Sequence, residues 1–494
     1  MNPRRWWILG VLCLTLLVLS VDSMILNLAI PSLMRDLKAD PADVQWVLDA
    51  YILVFAGGLI TAGSLSDRYG RRRLLVVGLA VLGGASLLAA FATLPWQVVA
   101  CRAVMGLGAA LAMPSTLSIL ITVFEAEERR KAMAAWSAVG MLGVVAGPTL
   151  GGLLLQHYWW GAAFLVNVPL SIAAIVAALV LIPESHAPAR PADPIGVVLS
   201  SGGMTALVWV IISLPHEGWS AGLIVWLVVA AVALTLFAVW ESKTPHPMLP
   251  LSMFRNRDFT GASLSVVLLM FATGALELAL TQYLQFVLSY GPMKAGLALV
   301  PMAVAAAGFN VVGATLGKRL SDKTLLVAGL LVIGVAFGIL ATVGPDDGYP
   351  LVALALVVIG IGSGLGGPAA YAMLMGAIPR EHAGVGAAVN DTIQQAGLAI
   401  GVATLGSVLS AAYSGALPAT VPEVARTSIA HTLELAGTRG SVELADAARE
   451  AFVSAMSVVS IAGLLLSAAG TIFALVVVRG RAQVADRPKV DIFG

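Results

Sequence analysis

The feature that most constrains this chain is a series of apolar runs, each about 20 residues long, the length needed to cross the hydrocarbon core of a bilayer. Fourteen can be placed, near 7–30, 44–64, 74–94, 98–121, 134–156, 163–182, 195–214, 221–240, 260–287, 295–317, 325–343, 351–374, 387–410 and 452–478. Lipid offers backbone N–H and C=O groups no partners, so runs of this length cross as helices that satisfy their own hydrogen bonds. The expected fold class is an all-α polytopic membrane protein. Only 11% of the residues are charged, against about 25% in soluble domains. The 51 glycines suit helices that approach closely in lipid, where small residues supply the packing. A net charge of +1 leaves nucleic acid without the electrostatic footprint it needs in a partner. Cys13 and Cys101 both lie in apolar runs, so no disulfide framework is expected. The six histidines form no metal-ligand cluster, and neither a Gly-x-Ser-x-Gly elbow nor a P-loop is present. These absences argue against an enzyme or an ATP-driven machine, and no cofactor or metal is expected. The first apolar run is too long for a signal-peptide core and has no cleavage site, so it reads as a retained span.

Charge orients the spans. With the N-terminus inside, the inner segments hold 21 of the 28 Lys and Arg residues, among them Arg4, Arg5, Arg68, Arg71–Arg73, Arg129–Lys131, Arg190, Lys318 and Arg380. Outer segments hold Arg35, Lys38, Lys294, Arg426, Arg439 and Arg449. Cytoplasmic loops carry the basic excess, so both termini are expected inside. The one remaining basic residue, Arg102, lies within a span. The segment 411–451 between spans 13 and 14 reads as a solvated extracellular hairpin, and 479–494 as a cytoplasmic tail.

The chain also repeats. Gly106-Leu107-Gly108 followed by Pro114 in span 4 matches Gly360-Ile361-Gly362 followed by Pro368 in span 12. Because span 4 matches span 12 rather than span 10, the simplest division is a six-helix half (1–185), an inserted pair with linkers (186–258) and a second six-helix half (259–478). Repeated halves about a central cavity are how secondary transporters build alternating access. Composition alone leaves a channel or receptor open.

Charged side chains inside lipid are expensive and mark function or structural pairing. Asp22 falls in the outer half of span 1, and Asp49 and Arg102 about 8 Å below the outer edge of spans 2 and 4 at a rise of about 1.5 Å per residue. The three share a layer, which is either a structural ion-pair network or a proton-coupling site. Span 12 has Leu356 where span 4 has Arg102, so the repeat itself does not demand a cation there. Glu277 in span 9 and Asp391 in span 13 either bind a cationic substrate, carry protons, or do each in turn. Tyr51, Met105, Met113, Phe286 and Tyr371 either line an adaptable cavity, for which Met and aromatics are suited, or simply pack. Trp6-Trp7 and Trp159-Trp160 fit an interfacial belt.

At the hairpin between spans 2 and 3, Gly63-Ser-Leu-Ser-Asp67-Arg68-Tyr69-Gly70-Arg71-Arg72-Arg73 closely resembles the inner-loop signature of the major facilitator superfamily. Arg102-Ala-Val-Met-Gly106-Leu-Gly108 resembles its span-4 motif, departing at Met105 where a glutamine is usual. Gly140 through Gly152, with Gly143, Gly147, Pro148, Gly151 and Gly152, resembles the span-5 motif that marks antiporters. Val21-Asp22 through Pro31, Trp46 through Tyr51 and Asn390-Asp391 through Gly397 extend the likeness, which covers nearly the whole chain and is similar to the fourteen-helix drug/proton antiporter branch. The resemblance implies a monomeric, proton-driven exporter of small lipophilic cations in the bacterial cytoplasmic membrane, using the proton gradient and no cofactor. It implies proton coupling by Asp22, Asp49, Arg102 and Asp391, and substrate contacts from Glu277, Asp391, Tyr51, Met113, Phe286 and Tyr371. Conformational gating falls to Gly63, Asp67, Arg68, Gly70 and Arg71 with the span-5 residues. In that family the aspartate matching Asp67 meets the N-terminus of a helix in the other half, here span 13, and the glycines of span 5 press against the other half. A dedicated exporter of one antibiotic or metabolite carries similar motifs.

Overall fold

A computed structural model describes residues 3–39, 41–186, 193–217, 220–245, 247–249, 251–255, 257–317, 319–376, 383–418, 421–422 and 425–478. Among them every regular element is helical. The first stretch comprises Arg5–Leu37 (α1), Pro41–Tyr69 (α2), Arg71–Ala90 (α3), Pro95–Val123 (α4), Ala126–His157 (α5), Ala162–Leu165 (α6) and Asn167–Leu181 (α7). Pro194–Glu217 (α8) and Ala221–Lys243 (α9) follow. The rest is Arg257–Gln282 (α10), Pro292–Ala298 (α11), Val300–Leu316 (α12), Asp322–Ala341 (α13), Gly348–Gly376 (α14), Ala383–Ala416 (α15), Ile429–Arg439 (α16) and Val442–Val477 (α17). The tail 479–494, Arg190, Lys318 and Arg380 lie outside the described residues.

Local chemistry sets many of the boundaries. Ser220, Ser321, Ser428 and Ser441 cap the N-termini of α9, α13, α16 and α17, each hydroxyl accepting the backbone N–H three residues on, one of the donors a helix start leaves open. Pro95, Pro292 and Pro301 stand in first turns, where a missing N–H costs nothing. Gly70 joins α2 to α3 at φ 114°, a conformation that an L side chain rarely adopts.

Each of the fourteen apolar runs is mostly helical. Among the described residues, twelve helical stretches are long and apolar enough to cross a membrane. The helices α5 and α10, at the places of spans 5 and 9, are not among those twelve. The described part of α10 holds a shorter apolar stretch, Phe259–Phe271.

The packing repeats as the glycine motifs predict. α4 packs on α2 and α3, and α14 packs on α12 and α13. α1 with α5 has its counterpart in α10 with α15, and α3 with α7 in α13 with α17. The paired glycines explain how. A Cβ on Gly106 would fall against the backbone of Tyr51 in α2, and one on Gly360 against the carbonyl of Met302 in α12. Likewise Gly108 meets Gly78 of α3, and Gly362 meets Gly329 of α13. Each Gly-x-Gly thus serves two neighbours, one glycine per helix. Gly108→Val should therefore push α3 from α4 and destabilise the fold by about 1–3 kcal/mol, as overpacking does. A lower melting temperature in detergent than Gly84→Val would show this, because nothing lies within 4 Å of a Cβ on Gly84. Equal melting temperatures would refute it.

Two regions show more than the sequence reading gave. The segment 411–451 is largely helical, with one face exposed and one buried. α15 continues to Ala416, and α17 begins at Val442, ten residues before the expected span. Between them α16 buries Ile429, Thr432 and Ala436, one face of a helix at spacings of three and four. Tyr413 donates a hydrogen bond to Thr432 at 2.7 Å and packs on Phe452, so the segment caps the second repeat. The other is α5, which packs on α11 and α12 of the other half, while Gly140 and Gly143 make their close approaches to Leu16 and Ser20 of α1 within the same repeat. Two glycines three residues apart lie on one face of a helix, and here that face is taken by α1.

The helices α8 and α9 form a pair outside the repeats. α8 docks on α2 and α15, with Trp46 stacked on Trp209 at 5.1 Å and the hydroxyls of Thr61 and Ser201 2.9 Å apart.

Candidate functional site

Three helices of the first repeat, α1, α4 and α7, meet at Asp22, and α2 and α3 flank it. Asp22 on α1 is 1% exposed and Arg102 on α4 is 2% exposed. Arg102 Nη1 donates to Asp22 Oδ2 at 2.8 Å. On the other side, Asn167 Nδ2 of α7 donates to Asp22 Oδ1 at 2.7 Å and to Ser86 Oγ of α3 at 3.1 Å. Ser86 in turn donates to the carbonyl of Phe164 at 2.9 Å. Arg102 Nε donates to the carbonyl of Val47 in α2 at 3.2 Å, and the guanidinium lies over the Tyr51 ring, 4.1 Å from its centroid. Gly106, one turn along α4, lets α2 come this close. Asp49 is buried in α2, two residues from Val47.

This arrangement is a charge pair whose two carboxylate oxygens are both occupied. Of the two donors, the one carrying charge is Arg102, which also holds the Val47 carbonyl and faces the Tyr51 ring.

A second cluster lies where α2 meets α15. Asp67 Oδ1 accepts from Arg71 Nη2 at 2.7 Å and from Gly384 N at 3.0 Å, while Oδ2 accepts from Val385 N at 3.0 Å. These amides open α15, and a helix start favours an anion both through its free N–H groups and its dipole. Gly63 packs against Ala388 and the carbonyl of Gly384 so closely that no Cβ fits. The Glu184 carboxylate accepts the backbone N–H groups of Arg72 and Arg73 at 3.1 and 3.2 Å and lies against Gly70. Arg68 stacks over Tyr69.

The third cluster is seven residues further along α15. Asp391 is 3% exposed and Asn390 fully buried. Asn390 Nδ2 donates to Asp391 Oδ1 at 3.2 Å. The Tyr371 hydroxyl of α14 lies near the Asn390, Gln394 and Asp391 side chains. Trp136 of α5 stands edge-on to Tyr371 at 6.3 Å.

Of the sequence candidates, the structure joins Asp22 to Arg102 with Tyr51 beneath, Asp67 to Arg71, and Asp391 to Tyr371. Tyr51 is 5% exposed, a support for the guanidinium rather than the wall of an open cavity. Met113 packs between two apolar clusters. Phe286 lies in the π turn Tyr283–Val287 after α10 and packs on the second repeat's core. The side chains of Glu277 and Pro148, and Gly152, lie outside the described residues. Sequence reading missed Asn167, Ser86, Trp136 and Gln394. An amide inside an apolar run, as in Phe164-Leu-Val-Asn167-Val-Pro, was the available signal for the first. Among the described residues no group of three or more His, Cys, Asp or Glu side chains could hold a metal ion.

The family model of the Major Facilitator Superfamily matches residues 12–402. The chain belongs to this superfamily. It is thus a multi-pass cell-membrane transporter. This superfamily member is 34% identical over 486 residues to the multidrug efflux pump LfrA of Mycolicibacterium smegmatis, covering 95% of this chain and 96% of that protein. It is 31% identical to the methyl viologen resistance protein SmvA of Salmonella typhimurium, covering 96% and 98%. The tetracenomycin C resistance and export protein of Streptomyces glaucescens is 32% identical, over 85% of this chain and 78% of that protein. Among solved structures the human organic anion transporter MFSD10 superposes with a TM-score of 0.61 at 13% identity, covering 94% of this chain and all of that one, a likeness of fold.

Proposed function

We propose that this superfamily member is a proton-driven antiporter that exports lipophilic cations by alternating access. The observation that carries the reading is the buried Asp22–Arg102 pair completed by Asn167, because a carboxylate whose cation can be displaced is able to load and release a proton. The relatives named for multidrug efflux and methyl viologen resistance support drug export. Methyl viologen is a dication, which supports a cationic substrate. Asp391 serves as the inner acidic group for a proton or cation, and Glu277 as a second.

In this reading α5 and α10 also cross the membrane. Their 32 and 26 residues span about 48 and 39 Å at 1.5 Å per residue, enough for fourteen spans in two six-helix halves, with α8–α9 between them. The end bearing Arg71–Arg73, Arg5 and Arg129 faces the cytoplasm. The Asp67 contact with α15 then closes the cytoplasmic side, and the chain works as a monomer.

Reconstituted proteoliposomes test this. An imposed pH gradient should drive a fluorescent lipophilic cation uphill, and a neutral analogue of equal size less well. Transport that ignores the gradient would remove proton coupling. A second reading, export of one antibiotic, is favoured by the relatives named for resistance to tetracenomycin C and puromycin. A single responder in a panel of toxic compounds would select it.

A further inference from the structure

In the cluster around Asp391, two buried acceptors and one buried donor, Trp136 Nε1, have no hydrogen-bond partner among the described residues. The acceptors are Asn390 Oδ1 and Asp391 Oδ2. Nor does any described Lys or Arg pair with Asp391, whose one hydrogen bond comes from the neighbouring amide. Buried acceptors left unmatched cost free energy, and a carboxylate without a cation costs more. The matching ligand would bring both positive charge and N–H donors. Trp136 and Tyr371, 6.3 Å apart and nearly perpendicular, offer a cation a π face.

The inventory discriminates between two kinds of organic cation. A quaternary ammonium presents only C–H groups to the two oxygens. A protonated amine presents N–H, which forms charge-assisted bonds of roughly twice the ordinary strength. Asp391 lies seven residues beyond Gly384 on α15, about 10 Å along the helix, beneath the Asp67 contact. A ligand from that end reaches it only when the contact opens.

Resting on the exporter reading above, we infer that Asn390, Asp391, Gln394, Tyr371 and Trp136 form a loading site selective for protonated amines over quaternary ammonium ions. The test uses purified full-length protein in lipid nanodiscs and a matched pair of fluorescent cations. One is a tertiary amine protonated at the assay pH, the other its N-methyl quaternary analogue. Wild type should bind the protonated amine about tenfold more tightly, the effect of one hydrogen bond to a charged group. Asn390→Leu should remove most of that margin while shifting the quaternary cation by less than about twofold, since it loses no bond there. Asn390→Ser, smaller and still polar, should keep part of the preference and serves if the leucine variant does not fold. Equal wild-type affinities, or equal losses for both ligands in the Asn390 variants, would overturn the assignment. If both cations were driven out by a pH gradient yet bound equally well, the exporter reading would stand and this one would fall. If neither cation were driven at all, the exporter reading itself would go.

Discussion

Asp22→Asn should reduce proton-driven efflux to the background of protein-free vesicles while the protein still folds and binds substrate. The amide keeps the size of the carboxylate and can still accept one hydrogen bond, but it cannot exchange a proton. Arg102 retains the Val47 carbonyl and the Tyr51 ring, so the cation is not stranded in a wholly apolar setting. Removing one member of a buried pair nevertheless costs about 3–5 kcal/mol in typical cases, and a lower melting temperature is expected alongside. The measurements that separate stability from coupling are substrate binding and substrate exchange without a gradient, both of which should survive. Wild-type uphill transport by Asp22→Asn at equal protein level would take Asp22 out of the mechanism. Asn167→Ala offers a graded version. It should weaken coupling less than Asp22→Asn, because Arg102 still holds Oδ2.

Asp67→Ala should slow transport about tenfold or more while leaving equilibrium binding of substrate nearly unchanged. The carboxylate accepts from Arg71 and from two backbone amides at the start of α15, and hydrogen bonds to a charged group contribute about 1.5–3 kcal/mol each. All of these bonds cross or brace the contact between α2 and α15, so their loss falls on the conformation in which that contact is closed. A shift of about 1.4 kcal/mol already changes a two-state population tenfold. Cysteines placed near Asp391 should become more accessible to a reagent added from the Asp67 end. If binding fell as far as transport, Asp67 would belong to substrate recognition and the gating role would be lost.

Much of this architecture was legible from residues alone, and the failures have physical causes. Hydropathy located all twelve candidate spans found among the described residues, because lipid leaves few alternatives to a helix about 20 residues long. Helix rise was enough to bring Asp22 and Arg102 to one depth. It could not give Asn167, since pairing with Asp22 depends on how α7 is rotated about its own axis, and an uncharged amide stands out little in an apolar run. The early start of α17 was hidden because Glu443, Asp446, Arg449 and Glu450 lower the hydropathy of what is still helix. The contact of Gly140 and Gly143 with α1 was not legible, because a glycine shows that something comes close without saying which neighbour does.

The docking of α8 on two partners has a mechanical consequence. Its grip on α2 is dense: Thr205 fills the space beside Gly57, Thr61 reaches Ser201, and Trp46 stacks on Trp209. If α2 and α15 separate as the exporter reading requires, α8 should travel with α2, its denser contact. The α8–α15 seam then becomes the one that parts, opening a slit toward the surrounding bilayer rather than toward water. A lipophilic solute already dissolved among the acyl chains could slip in sideways through that slit. The accessory helices would then govern how quickly the membrane itself is cleared, a matter of flux that no affinity measured in solution would register.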